Sequence, residues 1–220
     1  MGALIAIDGV DASGKQTQTE LLFKRMNEKS PRLISFPAYD KPSSAPAKMY
    51  LNGDFGKNPD EVNAYAASVL FAVDRYATYK SDWEKDYKSD KLIIADRYVS
   101  SNMIHQAGKI SDVAEKEKFL EWLFDLEYNK FGLPQPDIMI FLDMPPEYGA
   151  KLMAERANKI TGGMSKDIHE NDRRYLQKSY DNALFVAKKY NWSIVSCIRD
   201  NKIRTVEDIN NEIYDIVINL

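Results

Sequence analysis

Leu4-Ile5-Ala6-Ile7-Asp8-Gly9-Val10-Asp11-Ala12-Ser13-Gly14-Lys15-Gln16-Thr17 is the stretch that decides the fold. From Ala3 the run is apolar without alternation up to its closing Asp8, which predicts a parallel strand over residues 3–8, buried on both faces. Gly9 follows, Gly14-Lys15 stand just beyond, and a helical pattern begins at once with Leu21, Leu22, Arg25 and Met26. A strand, a glycine loop and a helix that starts with a lysine are what a phosphate-binding loop requires. The two glycines permit a tight turn and a close backbone approach. Successive N–H groups then point into a concavity at the positive end of the helix dipole, where an anion is held. Lys15 adds a full charge that can reach the outer phosphates of a nucleotide. The nucleotide-binding set read from this stretch is Gly9, Asp11, Ser13, Gly14, Lys15, Gln16 and Thr17. One position departs from the pattern: Gln16 stands where a Ser or Thr hydroxyl usually helps to hold Mg²⁺.

Composition sets the bounds. The 220 residues suit one α/β domain spanning 1–220, long enough to bury a full sheet between helix layers. With 44% apolar and 29% charged residues the balance is that of a globular protein. A net charge of -3 argues against a nucleic-acid partner, so anion binding must come from locally placed Lys and Arg. The apolar runs fall short of the ~20 residues that span a bilayer. The N-terminus enters the first strand without a secretory pattern, and Cys197 alone allows no internal disulfide. A cytoplasmic chain with no membrane association is expected.

Further strands are expected at Arg32–Ser35, Lys91–Ala95, Asp137–Leu142 and Trp192–Ser196, each followed by a helix or loop. This alternation predicts a five-stranded parallel sheet with right-handed crossovers and helices on both faces, a three-layer fold. The first helix should reach about Glu28 and another should end at Tyr50-Leu51-Asn52-Gly53. The longest should start with Asn58 as cap and Pro59, Asp60 and Glu61 in its first turn. Its apolar stripe reads Val62, Tyr65, Ala66, Val69, Leu70, Val73 and Tyr76, with Phe71, Asp74 and Arg75 off the stripe. Apolar residues on more than one face of this helix raise a subunit interface, hence a homodimer. Later helices are expected from Ser111 to about Lys130, from Pro145-Pro146-Glu147, from about His169 to Tyr190, and from the capping box Thr205-Val206-Glu207-Asp208.

Three segments that follow strands converge on one edge of this sheet. One is the phosphate loop. The second is the proline-broken loop Phe36–Pro42, which carries Phe36 and Tyr39 where open α/β sheets bind ligands. The third is Asp96-Arg97: an aspartate at the tip of a core strand can hold magnesium, and the arginine can clamp a phosphate. An unusually polar helical stretch follows, with Ser100, Ser101, Asn102, His105 and Gln106. Residues 157–168, polar and glycine-containing, read as a short lid with Lys159 and Lys166 free to meet phosphate. The arrangement describes a phosphoryl-transfer cleft.

Over most of the chain these segments resemble the thymidylate kinase family, P-loop nucleoside monophosphate kinases. Ile7-Asp8-Gly9-Val10-Asp11-Ala12-Ser13-Gly14-Lys15 resembles its phosphate loop, Phe36-Pro37-Ala38-Tyr39 its FP loop, and Leu70-Phe71-Ala72-Val73-Asp74-Arg75-Tyr76 its F-A-x-D-R-Y segment. Asp96-Arg97-Tyr98-Val99-Ser100-Ser101-Asn102 with Gln106, and Pro136-Asp137 through Leu142-Asp143, are similar to two further motifs. The resemblance implies the P-loop NTPase fold and transfer of the γ-phosphoryl group of ATP, with Mg²⁺, to dTMP to give dTDP. Residue by residue, it implies that Lys15 binds ATP phosphates, Asp11 contacts the acceptor's sugar, and Phe71 stacks on its pyrimidine. Arg75 and Asn102 would bond the base edge, while Phe36 and Tyr39 would line the sugar and phosphate side. Arg97 would hold the acceptor phosphate with Asp96 serving the metal, and Arg156 and the lid lysines would meet the donor. Ser101, His105 and Gln106 complete the substrate set. The chain departs from the family at Gln16, at His105, where an aromatic residue is usual, and in an FP loop with Lys41 in place of an arginine. Two other readings fit the same residues: a related P-loop kinase of another nucleotide or nucleoside, and a non-catalytic nucleotide-binding protein.

Overall fold

Five parallel strands lie in the order β2-β3-β1-β4-β5: β1 Leu4–Gly9, β2 Arg32–Ser35, β3 Ile93–Asp96, β4 Ile138–Asp143 and β5 Ser193–Ser196. The computed structural model describes residues 2–159 and 173–219, with side chains for 2–152 and 174–219. The predicted sheet is the one observed. β1 is its centre and is buried at every position, as an unbroken apolar run requires. Register explains the convergence of the site: Ile7 pairs with Asp96 and Gly9 with Leu142, so β1 and β3 release the phosphate loop and Asp96-Arg97 at the same sheet edge.

The strands alternate between two cores. Leu4, Ala6, Ile93 and Ala95 face one layer, which includes α5 (Val99–His105), α6 (Val113–Phe124) and α8 (Arg173–Lys189) through Val99, Met103, Phe119, Leu123 and Val186. Ile5, Ile7, Ile94 and Ile140 face the other, built on α1 (Lys15–Arg25) and α9 (Val206–Ile218) through Leu22, Ile209, Ile213 and Val217. The T-x-x-D box caps α9 as expected, with Thr205 Oγ1 accepting from the Asp208 N–H.

Several boundaries move. α1 stops at Arg25, and a 3₁₀ turn over Asn27–Lys29 completes the span expected to be helix. Asn58 heads only a 3₁₀ turn, Pro59–Glu61, because Val62 is extended and breaks the run. The helix expected to end at residues 50–53 is α2 (Ala45–Leu51), and the long helix α3 (Ala64–Thr78) starts at Asn63, whose side chain accepts from the Ala66 N–H. α3 continues through a π-helical turn, Tyr79–Trp83, into α4 (Glu84–Lys88). The stripe expected to face the core faces outward: Tyr65, Val69, Val73 and Tyr76 are exposed, whereas Ala67, Ser68, Ala72, Asp74, Arg75 and Thr78 are buried. Position, not polarity, decides here, because the inner face of α3 is committed to the site described below. α6 passes into a second π-helical turn, Asp125–Lys130. α7 (Pro146–Lys159) extends into the expected lid, so residues 157–159 are helical. The rest of that lid, with Lys166, and the expected helix start at 169–172 lie outside the described residues, as does the side chain of Arg156. A two-stranded hairpin, Ile198–Arg199 with Lys202–Ile203, was not expected; its signal is the Asp200-Asn201 pair, both at positive φ.

Candidate active site

The loop after β1 is built as an anion cradle. Gly14 has φ +84°, and a Cβ on Gly9 would stand 2.6 Å from Ser13 Oγ and 2.9 Å from the Leu142 carbonyl. Glycine at position 9 is therefore a requirement of packing against β4. Asp11, Ala12, Gly14, Lys15, Gln16, Thr17, Asp96 and Arg97 line an open cleft, whereas Gly9 and Ser13, also expected at the nucleotide, are buried and not part of its lining. Lys15 is buried, and its Nζ donates to the Val10 carbonyl at 2.8 Å. Burial, helped by Arg97, lowers its pKa to about 8 despite the neighbouring Asp11, Asp8 and Asp96. Gln16 is exposed and donates to Glu20 Oε1.

Arg97 stands at the meeting point of two cavities. Its φ is +65°, and its N–H donates to the Ile7 carbonyl, which fixes it to the end of β1. Its guanidinium donates to Asp11 Oδ1 at 2.8 Å, stands 3.8 Å from Asp8 Oδ1 and meets His105 Nε2 at 3.3 Å. Burial opposes its charge, but Asp11, Asp8 and Asp96 together hold its pKa above the ordinary arginine value. Asp8 is fully buried and accepts from the Ser100 and Ser101 hydroxyls, so the hydroxyl of Ser101 is spent on β1. Asp96 has a carboxylate oxygen, Oδ1, that is buried without a hydrogen-bond partner, and burial raises its pKa although Arg97 and Lys15 pull it down. An orphaned hard oxygen beside the phosphate cradle fits a Mg²⁺ ion that would take its other ligands from phosphate and water.

The second cavity is lined by all ten residues expected to touch the acceptor: Asp11, Phe36, Tyr39, Phe71, Arg75, Arg97, Ser101, Asn102, His105 and Gln106. Pro37 and Leu51 complete the lining. Asp11 and Arg97 also line the phosphate-loop cleft, so the two spaces share a border. Phe36 both enters the core and faces the cavity, with its ring 6.0 Å from that of Tyr98, whereas Tyr39 sits exposed at the rim. Phe71 meets Tyr50 edge-on at 5.8 Å. Gln106 is buried, with its Oε1 unpartnered. Lys41 is not part of the lining; its ammonium lies near Asp40 and Asp82.

Two carboxylates that carry this cavity were missed in the sequence. Asp74, on the inner face of α3, accepts from the Ala38 N–H at 2.8 Å and the Ser43 hydroxyl at 2.6 Å, and so pins the Phe36 loop. Glu127, fully buried, takes Arg75 Nε and Nη2 at 2.6 Å each. Its signal is periodicity. Glu127 falls four residues after Leu123 and seven after Leu120, on an apolar stripe where an acid needs a buried cation.

A phosphate loop on a five-stranded parallel sheet, bordering a second polar cavity across one arginine, defines a P-loop kinase of small phosphorylated acceptors. Comparison with known proteins narrows the class. The Thymidylate kinase family model matches residues 7–209, and the chain belongs to the thymidylate kinase family. It is 31% identical over 179 residues to the thymidylate kinase of Mycobacterium tuberculosis H37Rv, an alignment that takes in 80% of this chain and 81% of that protein. It is 27% identical to the thymidylate kinase of Schizosaccharomyces pombe, over 100% of this chain and 93% of that one. A solved thymidylate kinase from Candida albicans, 24% identical, has the same fold: TM-score 0.70, covering 99% of this chain and 92% of its own.

Proposed function

We propose that the chain transfers the γ-phosphoryl group of ATP to dTMP, with ATP in the phosphate-loop cleft and dTMP in the Phe71 cavity. The observation that carries this reading is the shared border: the ten residues assigned to the acceptor line one cavity, which meets the phosphate loop at Asp11 and Arg97. The base edge also suits a thymine. Both N–H groups of Asn102 are engaged, by the Ser68 carbonyl at 3.0 Å and Glu127 Oε1 at 3.2 Å, so its Oδ1 is the atom left for the cavity. An acceptor there meets a ring N3–H, and the remaining N–H groups of Arg75 meet an O4. Cytosine offers the opposite pattern at both positions.

In this reading Arg97 draws the acceptor phosphate to the border, and Lys15 with the loop N–H groups holds the donor phosphates. An acceptor phosphate oxygen attacks the γ-phosphorus in line as the bond to the β-bridging oxygen breaks, releasing ADP; alignment and charge neutralisation supply the catalysis. Asp96 would hold Mg²⁺, which when bound neutralises charge on the donor phosphates. Arg156 and the lid lysines Lys159 and Lys166 are assigned to the donor.

A cytoplasmic protein acting in nucleotide biosynthesis as a single-domain homodimer is part of the same proposal. Among the described residues no helix is long and apolar enough to cross a membrane. The exposed stripe of α3 supports self-association. A coupled ADP-release assay with dTMP, dUMP, UMP, CMP and thymidine as acceptors tests the reaction. Preference for dTMP is expected; turnover confined to another acceptor overturns the assignment, and ATP binding without transfer to any of them favours a non-catalytic role.

A further inference from the structure

We propose that Glu127 is the positioning residue that sets base selectivity, although it lies behind the cavity and is not among the residues that line it. Its carboxylate is fully buried and accepts three hydrogen bonds, two from Arg75 and one from Asn102. It thus joins the two side chains assigned to the base edge, one from α3 and one from α5. The inference rests on the reading of this cavity's base edge as one for thymine.

Two consequences follow from the geometry. First, Glu127 holds the Arg75 guanidinium by Nε and Nη2 while Nη1 reaches the Tyr98 carbonyl at 3.4 Å. Of five N–H groups, one on each terminal nitrogen is left to donate into the cavity. Secondly, a carboxylate can only accept, so it fixes which end of the Asn102 amide points inward: Nδ2 is drawn to Glu127 and the Ser68 carbonyl, and Oδ1 turns to the cavity. One buried acid, helped at Asn102 by the Ser68 carbonyl, therefore takes part in both halves of the pattern, a donor toward O4 and an acceptor toward N3–H. Selectivity against cytosine comes from these imposed orientations, since a reversed amide at position 102 would offer its N–H groups to the unprotonated N3 of cytosine. The π-helical turn Asp125–Lys130 carries Glu127 at this point of the core.

Glu127→Gln tests the proposal, because the new amide has the same shape but carries donors of its own and leaves the Ser68 carbonyl alone to orient Asn102. Steady-state kinetics with dTMP and dCMP, and with ATP varied, provide the readouts. We expect kcat/KM for dTMP to fall by about tenfold or more, chiefly through KM, while KM for ATP stays within about twofold. The dTMP-to-dCMP preference should shrink by about tenfold. Glu127→Asp, which keeps the charge but is one methylene too short to hold both partners, should shift the same ratio in the same direction; it carries the test if the glutamine variant does not fold. An unchanged ratio in a folded variant overturns the role of Glu127, as does a loss shared equally by dTMP, dCMP and ATP, which a merely structural carboxylate would give. A wild-type enzyme that uses dTMP and dCMP alike overturns the reading of the base edge as one for thymine, and the inference with it.

Discussion

Lys15 enters the donor cleft with an ammonium that titrates at about 8, against an ordinary value of 10.5, because it is buried and faces Arg97. It is charged below that pH and neutral above it. A bound triphosphate stabilises the charged form and must raise the pKa, so ATP binding above pH 8 takes up a proton and weakens as the pH rises. Calorimetric titration at pH 8.5 in buffers of different ionisation enthalpy should reveal this uptake, and Lys15→Arg, charged throughout, should abolish it. Arg97 is the second test at this scale. Removing a cation that lines both cavities should lower kcat/KM by about 10²-fold or more in Arg97→Ala, and near-normal turnover would refute its assignment. Residues of this kind were readable from sequence because they stand directly after strands, where chain order alone dictates which sheet edge they occupy. Glu127 and Asp74 were not, because each acts through a partner 52 or 36 residues away, and a single chain shows no such pairing.

Among the elements, α3 shows where periodicity misleads. Its strongest apolar stripe points outward, and its buried face carries Ser68, Asp74, Arg75 and Thr78. A rule that puts apolar residues inside assumes an inert core, yet this inner face abuts a cavity and supplies Phe71 and Arg75 to it. The strands obeyed their pattern because the central ones are packed on both faces and nothing competes for those positions. Helix boundaries slipped at Val62 and Asn63 because two asparagines, Asn58 and Asn63, both offer a cap and only backbone geometry chooses between them. The tie between α3 and the Phe36 loop gives the prediction at this level. Asp74→Ala removes two hydrogen bonds to a carboxylate, a loss of about 2 kcal/mol or more in a buried setting. For a chain of this size that amounts to a fall in Tm of about 4–8 °C. The same variant should raise KM for the acceptor, with KM for ATP little changed, since the freed segment lines only the acceptor cavity. A normal acceptor KM in Asp74→Ala would show that the loop holds its shape without α3.

At the scale of the molecule, the outward face of α3 is an uncharged apolar stripe open to solvent. Tyr65, Val69, Val73 and Tyr76 are each at least 36% exposed, and no charged residue interrupts them along this face. The two tyrosines lean on α6 and the loop after it, with Tyr65 4.7 Å from Trp122 and Tyr76 5.0 Å from Phe131, so the stripe broadens into a patch instead of ending at the helix edge. Contiguous apolar surface of this kind is costly in a monomer and is the usual signature of an interface. A second copy is the occupant best matched to it: a straight, uncharged helical stripe with small Ala66 and Ala77 among its neighbours can cross its own image about a two-fold axis. Such an arrangement would also bear on activity, because α3 presents Phe71 and Arg75 to the cavity from its other side. Val73→Glu, which places a charge in the middle of the stripe, should therefore convert a dimer to a monomer in sedimentation velocity at micromolar concentration and raise KM for the acceptor at the same time. Dissociation with unchanged kinetics would leave the interface in place but uncouple it from the site, whereas a wild-type protein that sediments as a monomer would remove the interface altogether.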